Sequence, residues 1–197
     1  MNTLKAEKRS MDVKAKKLRR EGFVTGNLFG REIEGPIPLK FTKKEIEVLL
    51  KNNNKGSQVM LELDGKTYDA LIKEVDYNPL AHTVEEVDFQ ALVSNEMVHS
   101  TAEIILENEE KVMSGVLQDE LKEVAYKALP ADLVDKIKVD VAGMKIGDTL
   151  RVKDLEIAKN KNIHITTDPE AVVATVTPVH NVVPETETEA EETAEEK

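Results

Sequence analysis

Eight of the first twenty residues are basic: Lys5, Lys8, Arg9, Lys14, Lys16, Lys17, Arg19 and Arg20, against the two acids Glu7 and Asp12. The whole chain carries a net charge of −11, so everything after residue 20 sums to about −17 (−11 minus +6). Neutralising phosphates and releasing their counterions requires a local density of cations, not a high overall pI. A polyanion is therefore the simplest partner for the amino end. Lys16, Lys17, Arg19 and Arg20 surround Leu18, a cluster able to follow a phosphate backbone. Arginine contacts such oxygens bidentately, and lysine acts as a point charge. Charge alone leaves a second reading open: a solvated arm, or one paired with the chain's own acidic surface.

Other chemistries find no support. The four histidines, His82, His99, His164 and His180, lack the paired spacing of metal ligands. Gly22, Gly26 and Gly30 recur every four residues, but no helix opening with Lys-Ser/Thr follows them. A Gly-x-Ser-x-Gly elbow is missing, and no carboxylates stand out as an acid/base pair. Cysteine is absent, which removes disulfides, thiolate metal sites and a thiol nucleophile. Aromatics make up 4% with no tryptophan, too few for a stacking platform that grips single-stranded nucleic acid. The chain is read as a non-enzyme with no cofactor, metal or small-molecule substrate. Its apolar runs are far short of the roughly 20 residues that cross a bilayer, and no apolar stretch follows the amino-terminal charges. A soluble, cytoplasmic protein without membrane contact is expected.

The elements that position the basic cluster read as mainly β with a few short helices (α+β). Strands are expected at Val24–Phe29 and Pro36–Phe41. Thr42 with Glu45 forms a capping box that opens a helix from Lys43 to about Lys51. Val59, Leu61 and Leu63 alternate with polar or flexible neighbours up to Asp64-Gly65, a hairpin signal because both turn positions need positive φ. The return strand is Lys66–Val75, and another covers Val84–Leu92. Further on, strands are expected at Thr101–Leu106, Val112–Leu117, Leu121–Ala128, Lys136–Val141, Thr149–Val152 and Val172–Pro178, a pattern of a compact sandwich or partial barrel.

Charge divides the chain. Residues 1–92 hold sixteen basic and fifteen acidic side chains, and residues 93–184 hold ten and sixteen. Two domains follow, 1–93 and 94–183, with the boundary at Ser94-Asn95-Glu96. Residues 184–197, with seven glutamates and no hydrophobe larger than alanine, form an acidic tail expected to stay disordered.

Three stretches in order resemble a known family. The first is Lys16-Lys17-Leu18-Arg19-Arg20-Glu21-Gly22-Phe23-Val24, running to Phe29-Gly30. The second runs from Ile72-Lys73-Glu74-Val75 through Asn78-Pro79 to Val87-Asp88-Phe89-Gln90. The third joins Ala128-Leu129-Pro130-Ala131-Asp132-Leu133, Ile137–Val141, Ile146-Gly147-Asp148 and Val152–Leu155. Together they are similar to the bacterial large-subunit ribosomal protein number twenty-five, in the two-domain form also called the CTC or general stress type. The resemblance implies a small β-barrel-like amino-terminal domain that binds 5S ribosomal RNA at loop E, and a β-rich second domain. Loop E is a helix of non-Watson–Crick pairs whose distorted groove presents a shape to read. Matching positions imply phosphate or groove contacts by Arg9, Lys14, Lys16, Lys17, Arg19 and Arg20. Asp88 would accept from a base amino group. Asp76 belongs to the same RNA-facing surface but departs from the family pattern: Asp76, Tyr77 and Asn78 stand where Gln-Arg-His is usual, and Glu86 where His is usual. Carboxylates there add repulsion toward RNA. The alternative is a stress-associated interaction paralogue with the same fold and weakened RNA binding.

Overall fold

The computed structural model describes residues 3–112 and 115–178. The acidic tail and His180 lie outside the described residues.

Six strands close into a barrel: β1 (Thr3–Lys8), β2 (Phe23–Phe29), β3 (Ile37–Thr42), β4 (Gln58–Leu63), β5 (Lys66–Asn78) and β6 (Thr83–Ala91). Their order around the wall is β1-β3-β2-β6-β5-β4. Closure leaves none of these strands as an unpaired edge. Two seams are parallel, β1 with β4 and β2 with β6, and the rest are antiparallel.

The amino-terminal segment is not a free arm. Leu4 and Ala6 turn into the barrel and make residues 3–8 a wall strand. A single helical turn and a half, α1 (Ala15–Arg20), then carries most of the basic cluster. The longer helix α2 (Lys43–Asn52) starts where its capping box demands. The Glu45 N–H donates to Thr42 Oγ1 at 3.4 Å, and the Thr42 N–H donates to Glu45 Oε2 at 3.3 Å. Ile46 and Leu49 drive its inner face into the core beside Phe41 and Phe89, whose rings lie 5.4 Å apart and tilted by 55°. The Asp64-Gly65 hairpin takes φ of 50° and 77°, as a turn with two left-handed residues requires.

The parallel β2–β6 seam is unusually close at Gly26. A Cβ at that position would lie 2.1 Å from the Val87 carbonyl oxygen. Only glycine lets the two backbones meet there.

Seven strands follow: β7 (Val98–Glu107), β8 (Val116–Asp119), β9 (Glu123–Ala128), β10 (Lys136–Asp140), β11 (Thr149–Arg151), β12 (His164–Ile165) and β13 (Val172–Thr177). They form a four-stranded sheet, β10-β7-β9-β12, and a three-stranded sheet, β11-β13-β8. Side chains of both, among them Ala102, Val124, Tyr126, Ile137 and Val173, share one core. The strand expected at Val112–Leu117 begins later. Asn108 at φ 63° starts a 3₁₀ turn over Glu109–Lys111, and Gly115 at φ 89° lets the chain enter β8 against Thr177. The buried phenol of Tyr126 closes the β9–β10 connection: its O–H donates to Val134 O at 2.7 Å and accepts from the Val134 N–H at 2.8 Å.

Two outcomes test this packing. Gly26→Ala should lower stability by about 1–3 kcal/mol through overpacking, read as a shifted urea midpoint; an unchanged midpoint would show that the seam yields freely. Tyr126→Phe should cost about 1–3 kcal/mol, because both backbone groups of Val134 lose a buried partner. Burial is the main influence that pushes the Tyr126 phenol up. Its folded value therefore exceeds its unfolded one, and its contribution is complete below about pH 10 and lost above it. The wild-type alkaline unfolding curve should show this loss, and the phenylalanine variant should not.

Candidate nucleic-acid interface

α1 is held by one apolar side chain. Leu18 is buried against the barrel, which leaves Lys14, Lys16, Lys17 and Arg20 exposed. Lys17, Arg19 and Arg20 all fall in the last turn, where cations complement the partial negative charge of a helix end. Lys17 has an acidic neighbour in Glu21, at 3.9 Å on the helix surface, a pair of small worth.

Arg19 and Arg9 differ from that quartet. Arg19 lies across the end of β6: Nη1 donates to Glu85 Oε2 at 2.7 Å, Nε to Glu85 O at 3.2 Å and Nη2 to Glu86 Oε2 at 3.4 Å. Two consecutive glutamates reach one guanidinium because β6 carries a bulge. Asp76 pairs with Glu86 and Tyr77 with Val84, so Glu85 is the extra residue. Arg9 is half-buried and donates from Nη2 to Val13 O at 3.1 Å, bracing the loop that leads into α1. Its Nε is enclosed and has no hydrogen-bond partner among the described residues. These two arginines position the quartet.

Beside this basic ridge runs an acidic trough. Glu74 faces Asp88 and Asp76 faces Glu86 across the β5–β6 ladder, and the four line a surface depression of about 300 Å³. Like charges directly opposite one another repel. The barrel relieves part of that repulsion through Asn27 on β2. Its backbone N–H and its Nδ2 both donate to Asp88 Oδ1 at 3.0 Å, and Nδ2 also donates to Glu86 Oε1 at 3.3 Å. Asp88 is thus engaged inside the protein through Oδ1. Glu74 and Asp76 bond to neither Arg19 nor Asn27 and stand as the open members of the trough.

The hairpin between β5 and β6 ends the same surface. Asn78 Oδ1 accepts from the Leu80 and Ala81 N–H groups, each at 3.1 Å, while Nδ2 donates to Glu85 Oε1 at 2.7 Å. This fixes a tip that exposes Tyr77 and Leu80, with the Tyr77 hydroxyl 3.2 Å from His82 Nδ1. Sequence reasoning missed Asn27, Glu85 and the Tyr77–His82 tip as parts of the surface. Asn27 and Glu85 depend on strand register and a bulge, which leave no local signal. Tyr77 was noted only as a departure, although an exposed tyrosine next to Asn-Pro was a readable hint.

The four exposed cations, the clamped Arg19 and the trough together make a polar surface suited to a ribose–phosphate backbone on its basic side. Comparison with known proteins agrees with a nucleoprotein role. Residues 4–89 match the family model described as the ribosomal L25p family, and residues 97–180 match the model for the C-terminal domain of ribosomal protein TL5. A large ribosomal subunit protein bL25 of Carboxydothermus hydrogenoformans is 32% identical over 190 residues, covering 92% of this chain and 94% of its own. The protein of the same name in Bacillus velezensis is 31% identical, covering 90% and 89%. That of Caldanaerobacter subterraneus is 30% identical over 98% of each chain. Barrel and second domain each meet their own model in the right order, and full-length relatives align end to end: this chain belongs to the bacterial bL25 family of large ribosomal subunit proteins in its two-domain CTC/TL5 form, structural components of the ribosome and not enzymes.

Proposed function

We propose that this chain binds 5S ribosomal RNA at loop E within the large ribosomal subunit, with α1 and the β5–β6 face turned to the RNA. The observation that carries the reading is the quartet Lys14, Lys16, Lys17 and Arg20, displayed on a short helix that Leu18 pins to a closed barrel. Such a ridge presents fixed charges to phosphates without first ordering a flexible arm, which lowers the entropic cost of binding. A duplex of non-Watson–Crick pairs offers a distorted groove, and shape with phosphate position is what this surface can read. The amino-terminal domain, residues 1–93, makes the RNA contact, and residues 94–183 form a second unit.

Arg9 and Arg19 act chiefly by holding the loop and α1 in place, and Arg19 also neutralises Glu85 and Glu86 at the edge of the trough. Asp88 serves the same surface by fixing Asn27. Asp76 opposes binding: an open carboxylate beside a phosphate backbone raises the energy of the complex.

Two measurements test the reading. Filter binding of the full chain to 5S ribosomal RNA should show a preference over an unrelated duplex. The slope of log affinity against log salt should be about −2.8 to −3.6, at roughly 0.7–0.9 per neutralised phosphate. In the double variant Lys16→Gln with Arg20→Gln that slope should shrink by about 1.4 to 1.8. Equal affinity for both RNAs would overturn the proposal. Separately, Asp76→Gln should raise affinity for 5S ribosomal RNA by roughly two- to fivefold at low salt, with the gain fading as salt screens the charge. A loss of affinity would place Asp76 among the contacts that the RNA needs.

A further inference from the structure

A second basic site is built where the barrel meets the other domain. In β5 the register passes from Ile72 opposite Phe89 to Glu74 opposite Asp88, which leaves Lys73 as the extra residue of a bulge. A bulge redirects its side chain. Lys73 reaches the second domain, where its Nζ donates to His99 O at 2.8 Å. An ammonium group has three donors, so two remain for another partner.

The surroundings are cationic. Lys55 follows α2 and lines the same cleft as Lys73, His99 and Thr101, a space of about 290 Å³. Lys127 sits on β9 directly across from His99 on β7, with His164 of β12 on its other side. Desolvation first, and then Lys55, lowers the Lys73 pKa below its ordinary value. Desolvation first, and then Lys127 and Lys73, lowers that of His99. The acids nearby are Glu74, on the cleft lining, Glu123, 3.9 Å from Lys55, and Glu103, which lies opposite Glu123 and accepts from Asn54 Nδ2. Neither Lys73 nor Lys127 belongs to an ion pair among the described residues. The Thr101 hydroxyl is enclosed and likewise lacks a hydrogen-bond partner there.

The walls are fixed. The Gly56 N–H donates to Ile72 O and the Ile72 N–H to Ser57 O, both at 2.9 Å. Ser57 Oγ donates to Asp135 Oδ2 at 3.3 Å across the joint, and Asn54 Nδ2 donates to Glu103. A Cβ at Gly56 would lie 1.8 Å from Thr101 O, so the two domains touch through bare backbone. The cleft is small and sets Lys55 and Lys73 against the single acid Glu74 on its lining, a space that excludes a bulky ligand and fits one tetrahedral oxyanion.

We propose that this cleft binds a phosphate group, held by Lys73 and Lys55 on its lining, with Lys127, across the β7–β9 ladder from His99, adding charge at its edge. The phosphate belongs either to an RNA backbone crossing the joint or to free inorganic phosphate. The site shares no cation with the α1 surface, and only Glu74 borders both, so the two readings are tested by separate residues.

The test follows the backbone amides of the full chain by NMR in two arms, inorganic phosphate and 5S ribosomal RNA, at constant ionic strength with chloride as the reference. Saturable shifts at Lys73, His99, Thr101 and Lys127 are expected in at least one arm. Lys127→Gln, which removes an unpaired cation, should weaken that binding by roughly fivefold or more. Shifts in the RNA arm identify a phosphodiester as the ligand; shifts in the phosphate arm alone identify the free ion. Silence at these amides in both arms overturns the proposal, as do shifts that are undiminished in both Lys127→Gln and Lys73→Gln. RNA that leaves the α1 amides unmoved would refute the 5S reading without bearing on the phosphate arm.

Discussion

The close parallel contact of β2 with β6 at Gly26 is the constraint on which the rest of the barrel surface depends. Parallel seams need long crossovers, and here the chain spends β3, α2, β4 and β5 before β6 returns beside β2. With the Val87 carbonyl resting against bare Gly26, the next residues fall into place. Asn27 meets Asp88 and Glu86, and Thr25 Oγ1 donates to Glu85 O at 3.3 Å. Were the strands an ångström further apart, Asn27 could not bridge two carboxylates, and Arg19 would lose the ledge that α1 is fastened to. One missing Cβ thus sets the spacing of a charged surface whose other members lie on four separate segments.

That surface carries an internal conflict which the fold only partly resolves. Five acids, Glu74, Asp76, Glu85, Glu86 and Asp88, crowd two adjacent strands. Arg19 and Asn27 satisfy three of them and leave Glu74 and Asp76 open. The pairs are partly exposed, with Arg19 at 31% and Glu86 at 36%, so water and salt screen them and each is worth little as a stabilising contact. Their effect is geometric. Arg19 gives up its charge to the barrel, and in return α1 points its four remaining cations outward from a fixed place. The helix thus carries exposed positive charge and the trough beside it negative charge, and on the proposed reading such a gradient would orient a phosphate backbone as well as bind it.

Local patterns were readable in the sequence wherever one segment carried its own instruction. The capping box at Thr42 and Glu45, the Asp64-Gly65 turn and the alternation of Val59, Leu61 and Leu63 each specify structure within a few residues, and each appears as expected. What escaped was structure imposed from a distance. β1 has only Leu4 and Ala6 to signal burial, among four charged or polar residues, and becomes a strand because β3 and β4 offer it hydrogen bonds on both sides. α1 is too short to show a periodic face and buries Leu18 alone. The bulges at Lys73 and Glu85 exist only in the pairing of β5 with β6, and they determine which acid meets Arg19 and which lysine enters the domain joint. Residue types announced the basic cluster; register decided which of its members are free.

The same logic explains how an acidic second domain can belong to a ribosomal protein. Its charge is not spread evenly over the face that meets the barrel. Along that face Glu103 and Glu123 are taken up by Asn54 and Lys55, while four residues further along β7 and β9 stand His99 and Lys127 with no acid opposite. Glu103 and Glu123 thus help to hold the domains together, and Lys73 and Lys127 are left without an ion pair among the described residues. At Gly56 the backbones touch, because no Cβ stands between that residue and Thr101 O. A domain with negative net charge can in this way present a local positive field, because within a Debye length of about 8–10 Å the nearest charges outweigh the total. Net charge speaks to solubility and long-range steering, and the contact itself is decided by which side chains the joint leaves unpaired.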